Sequence, residues 1–281
     1  MVAARYKPIT TLDCVEEWGI FCDWRLPSQK DIDFIRFAGF NDVVLGIGNK
    51  FSSGVWVPTY PKGRIIDVAK RLIDNGSRVH LMPWAIRSEH WLKHAVPWFA
   101  KTAEEAGCLS VLFDAEKDWH NGTISAAKAA KFITDCMSDL PDIGFGVTGL
   151  SNLHSSVFPL AVMADYVVPQ AYSIWRPAVK NHWSHSKSTF PGVQQSTAYK
   201  SWCSTGRTEG FVMGLANYWG TRPVQVGCPA LTQTQTLMIA CAETERLGCL
   251  SAWFWSLKWL LKKSKTADDM RRLFGIHDFY S

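Results

Sequence analysis

The sequence lacks most of the signatures by which enzyme classes can be read directly. No run of about 18 apolar residues occurs, so no membrane-spanning helix is expected. The opening "MVAARYKPITTLD" carries no hydrophobic signal core. Synthesis in the cytoplasm without a signal peptide is therefore the expectation. No CxxC, HExxH, HxH or GxSxG motif is present. Those absences argue against a zinc site, a redox dithiol and a serine-hydrolase elbow. The glycine cluster "GIGNK" is followed by "FSSG" and lacks the third glycine of a dinucleotide fingerprint. No zinc-finger spacing, arginine-rich arm or RNP-like motif points to nucleic acid. Neither a metal nor an organic cofactor is expected.

What is present is a core-forming chain of 281 residues, 47% hydrophobic and 20% charged. That composition argues against disorder and suits one large α/β domain. Tryptophan is abundant, with 14 against 7 tyrosines. Its broad ring packs in cores and also lines ligand grooves. The net charge of +5 is spread along the chain, apart from "KWLLKKSK" near the end. Such a balance favours approach to an anionic polymer. The eight cysteines, at 14, 22, 108, 136, 203, 228, 241 and 249, lie partly inside apolar runs. They are expected to be reduced and buried.

One rhythm repeats along the chain. Eight short apolar runs occur, at 18–24, 42–48, 78–85, 109–116, 143–149, 165–172, 210–218 and 249–256. Near-continuous apolar runs are the mark of parallel strands buried on both faces. Amphipathic stretches separate them: "SQKDIDFIRFAG" behind a Ser N-cap, "GRIIDVAKRLIDNG" ending at Asn75–Gly76, "HWLKHAVPWFAKTAEEAG" around Pro97, "TISAAKAAKFITDCMSDL" from Thr123, "TQTQTLMIACAETERLG" and "KTADDMRRLFG". The spacing suits βα units of about 30 residues. The sequence therefore predicts a single (β/α)8 TIM barrel over 1–281. A long polar loop with a poor helix is expected over about 173–209. A doubly wound sheet is the structural alternative.

In such a barrel the chemistry gathers at the C-terminal ends of the strands. The fourth run, "LSVLFDAE", climbs into Asp114 and Glu116. Residues i and i+2 of a strand face the same way, about 6.6 Å apart at about 3.3 Å per residue. Both carboxyls then open on the barrel mouth, while Ala115 packs toward the helices. Two close, partly buried carboxyls repel, so one keeps its proton toward neutral pH. A protonated acid beside a second carboxyl is the equipment for cleaving a glycosidic bond. Other strand ends add to the set. Gln170 and Tyr172 end the sixth, as possible donors to a substrate carbonyl or a charged intermediate. Trp253 and Trp255 end the eighth, as a floor for a sugar ring. Trp84 ends the third, Asn217 and Tyr218 the seventh, and Asp23 the first.

With these residues in place, the chain resembles the barrel glycosidases of the chitinase-like (family eighteen) and phage and fungal lysozyme (family twenty-five) groups. "FDAE" resembles the end of the family-eighteen strand-four signature, "PQAYS" its strand-six Gln/Met-x-Tyr, and "AWFWSLKW" its strand-eight Trp-Ser. The further acids upstream in that signature are replaced here by residues such as Ser110 and Leu112. "WGIFCDWRLPSQKDIDFIRFAGFNDVVLGIG" resembles the opening of the lysozyme group, where an Asp closes the first strand; Asp23 matches it. The resemblance implies Glu116 as general acid and Asp114 as the residue orienting the substrate acetamido group. It implies Tyr172 as a hydrogen-bond partner of that group and Trp255 as the sugar floor. It implies retaining hydrolysis of an N-acetylated polysaccharide, peptidoglycan or chitin-like, with a divergent phage endolysin as the best fit. The nucleophile is the acetamido oxygen or a carboxylate, Asp114 or Asp23. A monomer acting on the cell wall is expected. The rivals are a chitinase or other hexosaminidase, an inactive carbohydrate-binding barrel, and a barrel acting on phosphorylated small molecules.

Overall fold

In the computed structural model, residues 17–52, 55–172, 191–216 and 233–275 are described. Eight parallel strands close into a barrel, as the eight apolar runs predict. Their order of appearance in the chain is β1 (Trp18–Phe21), β2 (Phe40–Ile47), β5 (Arg78–Pro83), β6 (Ser110–Asp114), β7 (Gly144–Leu150), β8 (Tyr166–Gln170), β9 (Val212–Ala216) and β10 (Ser251–Trp255). β1 pairs with both β2 and β10, which closes the ring. Between β2 and β5 the chain inserts an antiparallel hairpin, β3 (Asn49–Ser52) and β4 (Val55–Pro58). Nothing in the hydrophobic pattern announces this hairpin.

The helices follow their capping signals. α1 (Gln29–Phe37) starts behind Ser28, whose hydroxyl accepts from the Asp31 amide while the Asp31 carboxylate accepts from the Ser28 amide. α2 (Lys62–Asp74) ends at Asn75. α3 (Glu89–Ala106) runs through Pro97 without a break and stops at Gly107, in the left-handed region. The fourth helical signal belongs to Ser125, not Thr123: a four-residue turn, α4 (Lys117–His120), comes first, then α5 (Ala126–Ser138) behind Ser125. α6 (Phe158–Met163) is too short to register as a period in the sequence. α7 (Val193–Cys203) lies in the stretch 173–209, where a long loop with a poor helix is expected, and it buries Gln194, Gln195, Ala198 and Trp202. Residues 173–190 lie outside the described residues. α8 (Gln233–Arg246), α9 (Leu257–Leu260) and α10 (Lys265–Leu273) complete the chain.

Two apolar layers result. The larger lies between sheet and helices. The smaller fills the barrel, with Phe21, Val44, Met82, Leu112, Tyr166, Val168, Val212 and Trp253 at its centre. Two large rings fit inside because the strands opposite them carry glycine. A Cβ on Gly19 would sit 2.2 Å from Cδ1 of Trp253, and one on Gly146 2.3 Å from Cζ of Tyr166. A polar chain is buried with them. Asp42 accepts from Arg78 at 2.9 and 2.8 Å and lies 3.0 Å from His80 Nε2. His80 Nδ1 is 2.8 Å from the Ser110 hydroxyl, which is 2.7 Å from the Tyr166 hydroxyl. Burial acts to raise Asp42, but the hydrogen bonds and charges of His80 and Arg78 overcome it and hold the carboxyl below its ordinary value. Among the described residues no helix is long and apolar enough to cross a membrane. Burial pushes the thiols of Cys108 and Cys241 up to about 12, so neither is a nucleophile near neutral pH.

Candidate active site

Asp114 is the last residue of β6. Its backbone is held on both sides, by Ala85 N–H donating to its carbonyl at 2.9 Å and by the ladder to Thr148. Its side chain is 3% exposed. Glu116 lies two residues on, half-buried, where the strand turns into α4. Ala115 between them is fully buried in the sheet–helix layer, as the alternation predicts. Gln170, closing β8 two strands along the barrel, binds both acids. Its amide nitrogen donates to Glu116 Oε1 at 2.7 Å and to Asp114 Oδ1 at 3.3 Å. The two carboxyls thus meet at one nitrogen in the mouth of the barrel.

Burial, and then the neighbouring Glu116 charge, push the Asp114 carboxyl well above the ordinary carboxylate range. That direction favours the protonated form of Asp114. The hydroxyl of Thr148 is buried beside it with no hydrogen-bond partner in the described structure. It is an open polar contact at the level of the acid.

The loop that carries Glu116 is held from outside the barrel. Arg87 donates to the carbonyls of Trp119 at 2.8 Å, of His120 at 2.9 Å, and of Ile124. Trp119 is buried and its indole donates to Ser156 O at 2.7 Å. The end of β8 is held in a similar way: Gln195 of α7 donates to Ala171 O at 2.7 Å. Gln170 and half-buried Tyr172 flank that clamp.

An aromatic wall leads away from the acids. Trp84, bridged to Asp114 through the backbone, lies 5.5 Å from Trp24. Trp24 lies 6.4 Å from Trp255, which lies 5.1 Å from Phe21. The Trp255–Ser256 peptide bond is cis. Trp253 does not belong to this wall. It is inward-facing, as expected, but one rung deeper, with no exposed surface and 4.7 Å from His80. The sugar floor expected of two tryptophans at the end of the eighth strand therefore reduces to Trp255. Asp23 is half-buried just past β1, and its carboxylate accepts from the Lys258 amide at 3.3 Å. Asn217 and Tyr218 lie outside the described residues.

Trp24 was not singled out by the alternating pattern. Asp23 adopts a φ of 54°, which breaks the strand alternation and turns the next side chain toward the mouth. Arg87 and Asn49 were missed as well, since each acts by holding backbone and leaves no motif. Among the described residues no group of three or more His, Cys, Asp or Glu side chains is placed to hold a metal ion.

No protein-family model matches the chain, and no curated protein sequence does. Its architecture is similar to several solved structures. The spore cortex-lytic enzyme SleL of Bacillus cereus superposes with a TM-score of 0.59 at 13% identity, over 93% of this chain and 74% of that one. A xylanase and alpha-amylase inhibitor protein of Scadoxus multiflorus gives 0.62 at 12%, over 92% and 98%. A family 39 glycoside hydrolase of Bacteroides cellulosilyticus gives 0.58 at 12%, over 85% and 56%. At these identities the likeness is one of fold: the chain has a barrel that glycoside hydrolases also use.

Proposed function

We propose that the protein is a retaining glycosidase acting on N-acetylated polysaccharide, with bacterial peptidoglycan as its substrate. The observation that carries this reading is the pair Asp114 and Glu116, joined through Gln170 at the barrel mouth, with a proton retained at the buried member. In this reading the one proton of the pair passes from Asp114 to Glu116 as substrate binds, and Glu116 gives it to the departing glycosidic oxygen. The acetamido oxygen of the cleaved sugar, held by Asp114 and Tyr172, attacks the anomeric carbon and displaces it. Water then opens the oxazolinium-like ring, giving its proton to Glu116, and the configuration is retained. Once its proton has passed on, the Asp114 carboxylate orients the acetamido group and stabilises the positive charge of the oxazolinium-like ring. Trp255 and Trp84 flank the sugar. The net charge of +5 suits an anionic wall, and SleL, of similar fold, is a spore cortex-lytic enzyme. Release at the wall as an endolysin is the setting we infer.

A second reading has support from the fold: an inhibitor protein shares the barrel. A binding barrel needs the aromatic wall but no acid pair. Digesting purified peptidoglycan and chitin in parallel, with the new reducing ends read by mass spectrometry, separates these readings. Peptidoglycan fragments with new reducing N-acetyl sugars are expected. Cleavage of chitin alone makes the protein a chitinase. Binding to either polymer without cleavage makes it a binding protein.

A further inference from the structure

Beside the acids, between the hairpin and the first barrel strands, the surface folds into a groove of about 360 Å3. Trp24, Gly48, Asn49, Trp84, Ile86 and Asp118 line it. It shares Trp84, whose backbone bridges to Asp114, and Trp24, whose ring lies 6.4 Å from Trp255, with the aromatic wall of the acid site. We infer that this groove is a second sugar-binding subsite, which takes the residue of the glycan chain next to the one at the acid pair, and that Asn49 is the residue that positions it. The inference rests on the glycosidase reading and adds where the chain runs: toward β1, β2 and β5.

Three observations carry it. The first is the lining. Two indoles 5.5 Å apart and tilted by 39° offer broad apolar faces, and Asp118 adds a carboxylate at the edge. An apolar wall with few polar groups is how sugar-sized ligands are held and oriented. The second is an orphan donor. The indole N–H of Trp84 is buried and has no partner in the described structure. A buried donor left open costs free energy unless a ligand or water satisfies it, and a glycan supplies hydroxyl and carbonyl acceptors.

The third is the construction. Within the hairpin β3–β4, Asn49 makes three bonds, one to the end of β5, one to α3 and one across to β4. Its amide nitrogen donates to the Trp84 carbonyl at 2.6 Å. Its carbonyl oxygen accepts from the indoles of Trp56 at 2.6 Å and Trp91 at 3.2 Å. Trp56 in turn packs edge-on against Trp98 of α3, and its amide donates to His90 Nε2 at 3.0 Å. Both of the Asn49 amide ends are thus spent on protein groups. Its role is to fix the Trp84 backbone, and so the ring, against the groove.

The test uses the full chain carrying Glu116→Gln, so that bound glycan persists, and measures affinity for N-acetylglucosamine oligomers from the dimer to the hexamer by calorimetry. Affinity is expected to rise by about tenfold from the dimer to the longer oligomers, equivalent to about 1.4 kcal/mol of added contact. Trp24→Ala is expected to erase most of that gain, and Trp24→Phe to restore most of it. Asn49→Asp keeps the acceptor for both indoles and gives up donation to Trp84. It is expected to shrink the same gain, with circular dichroism unchanged. A length-dependent gain that survives Trp24→Ala and Asn49→Asp overturns the subsite, as does equal affinity for all lengths; both leave the acid-pair reading standing. Failure to bind any oligomer, together with failure of the unsubstituted protein to cleave any N-acetylated glycan, overturns the glycosidase reading and the subsite with it.

Discussion

Asp114→Asn is expected to make the protein more stable at neutral pH. The carboxyl is 3% exposed, Gln170 donates to it from 3.3 Å, and Glu116 adds a neighbouring charge. Its folded pKa is raised, so the folded state holds a proton that the unfolded chain releases near pH 3.9. Between those two values the folded state binds the extra proton, and stability falls as pH rises, by about 1.4 kcal/mol per pH unit. The contribution is fully present below the unfolded value and is lost as pH climbs through the raised one. The asparagine variant is isosteric, still offers an oxygen to Gln170, and has no charge to bury. The assay is thermal unfolding of both proteins across a pH series from about 4 upward. Carboxyls away from the pair titrate equally in both, so the difference between the curves isolates Asp114 together with its coupling to Glu116. That difference should widen in favour of the variant by roughly 3–5 °C per pH unit near the start of the window, at about 2–4 °C per kcal/mol for a large domain. Parallel curves, or a variant less stable at every pH, would refute the burial argument.

Two further predictions concern the barrel interior. Gly19→Ala sets a methyl carbon 2.2 Å from the Trp253 ring, which has no free volume to retreat into. A loss of about 1–3 kcal/mol or more is expected, read from the urea midpoint. Asp42→Asn removes the negative charge that Arg78 and His80 share and turns one of its two acceptor oxygens into a donor, at a fully buried side chain. It should cost about 3–5 kcal/mol at neutral pH. Because the Asp42 pKa is depressed, that stabilisation is present above the unfolded value and is lost as pH falls through the folded one. The gap between variant and parent should therefore narrow on acidification below about pH 4; a gap independent of pH would count against the ion pair.

The barrel was legible in the sequence because burial on both faces forces long apolar runs, and eight of them at βα spacing leave few topologies. Asp114 and Glu116 were legible for a related reason. Charges at the end of such a run have nowhere to point but the mouth, and Ala115 marks the phase. Alternation gives direction but not depth, and so Trp253, correctly inward, was placed one rung too high. Only Gly19 opposite it reveals that the barrel makes room for its ring. Trp24 was hidden by a single backbone angle, the positive φ of Asp23, which no periodicity encodes. Arg87 and Asn49 were hidden because each works by bonding carbonyls distant in sequence. The helix at 193–203 could be read only as a poor one without bounds, since it buries two glutamines, and one of them spends its amide on the end of β8 where an amphipathic pattern would show an apolar residue.

The most direct measurement is the release of reducing ends from purified peptidoglycan by the unsubstituted protein and by Glu116→Gln, with circular dichroism and melting temperature recorded for both. The account predicts steady release by the former and a fall of about a hundredfold or more in the latter at unchanged fold, the loss expected when a general acid is removed. Release at a similar rate by the glutamine variant would contradict it.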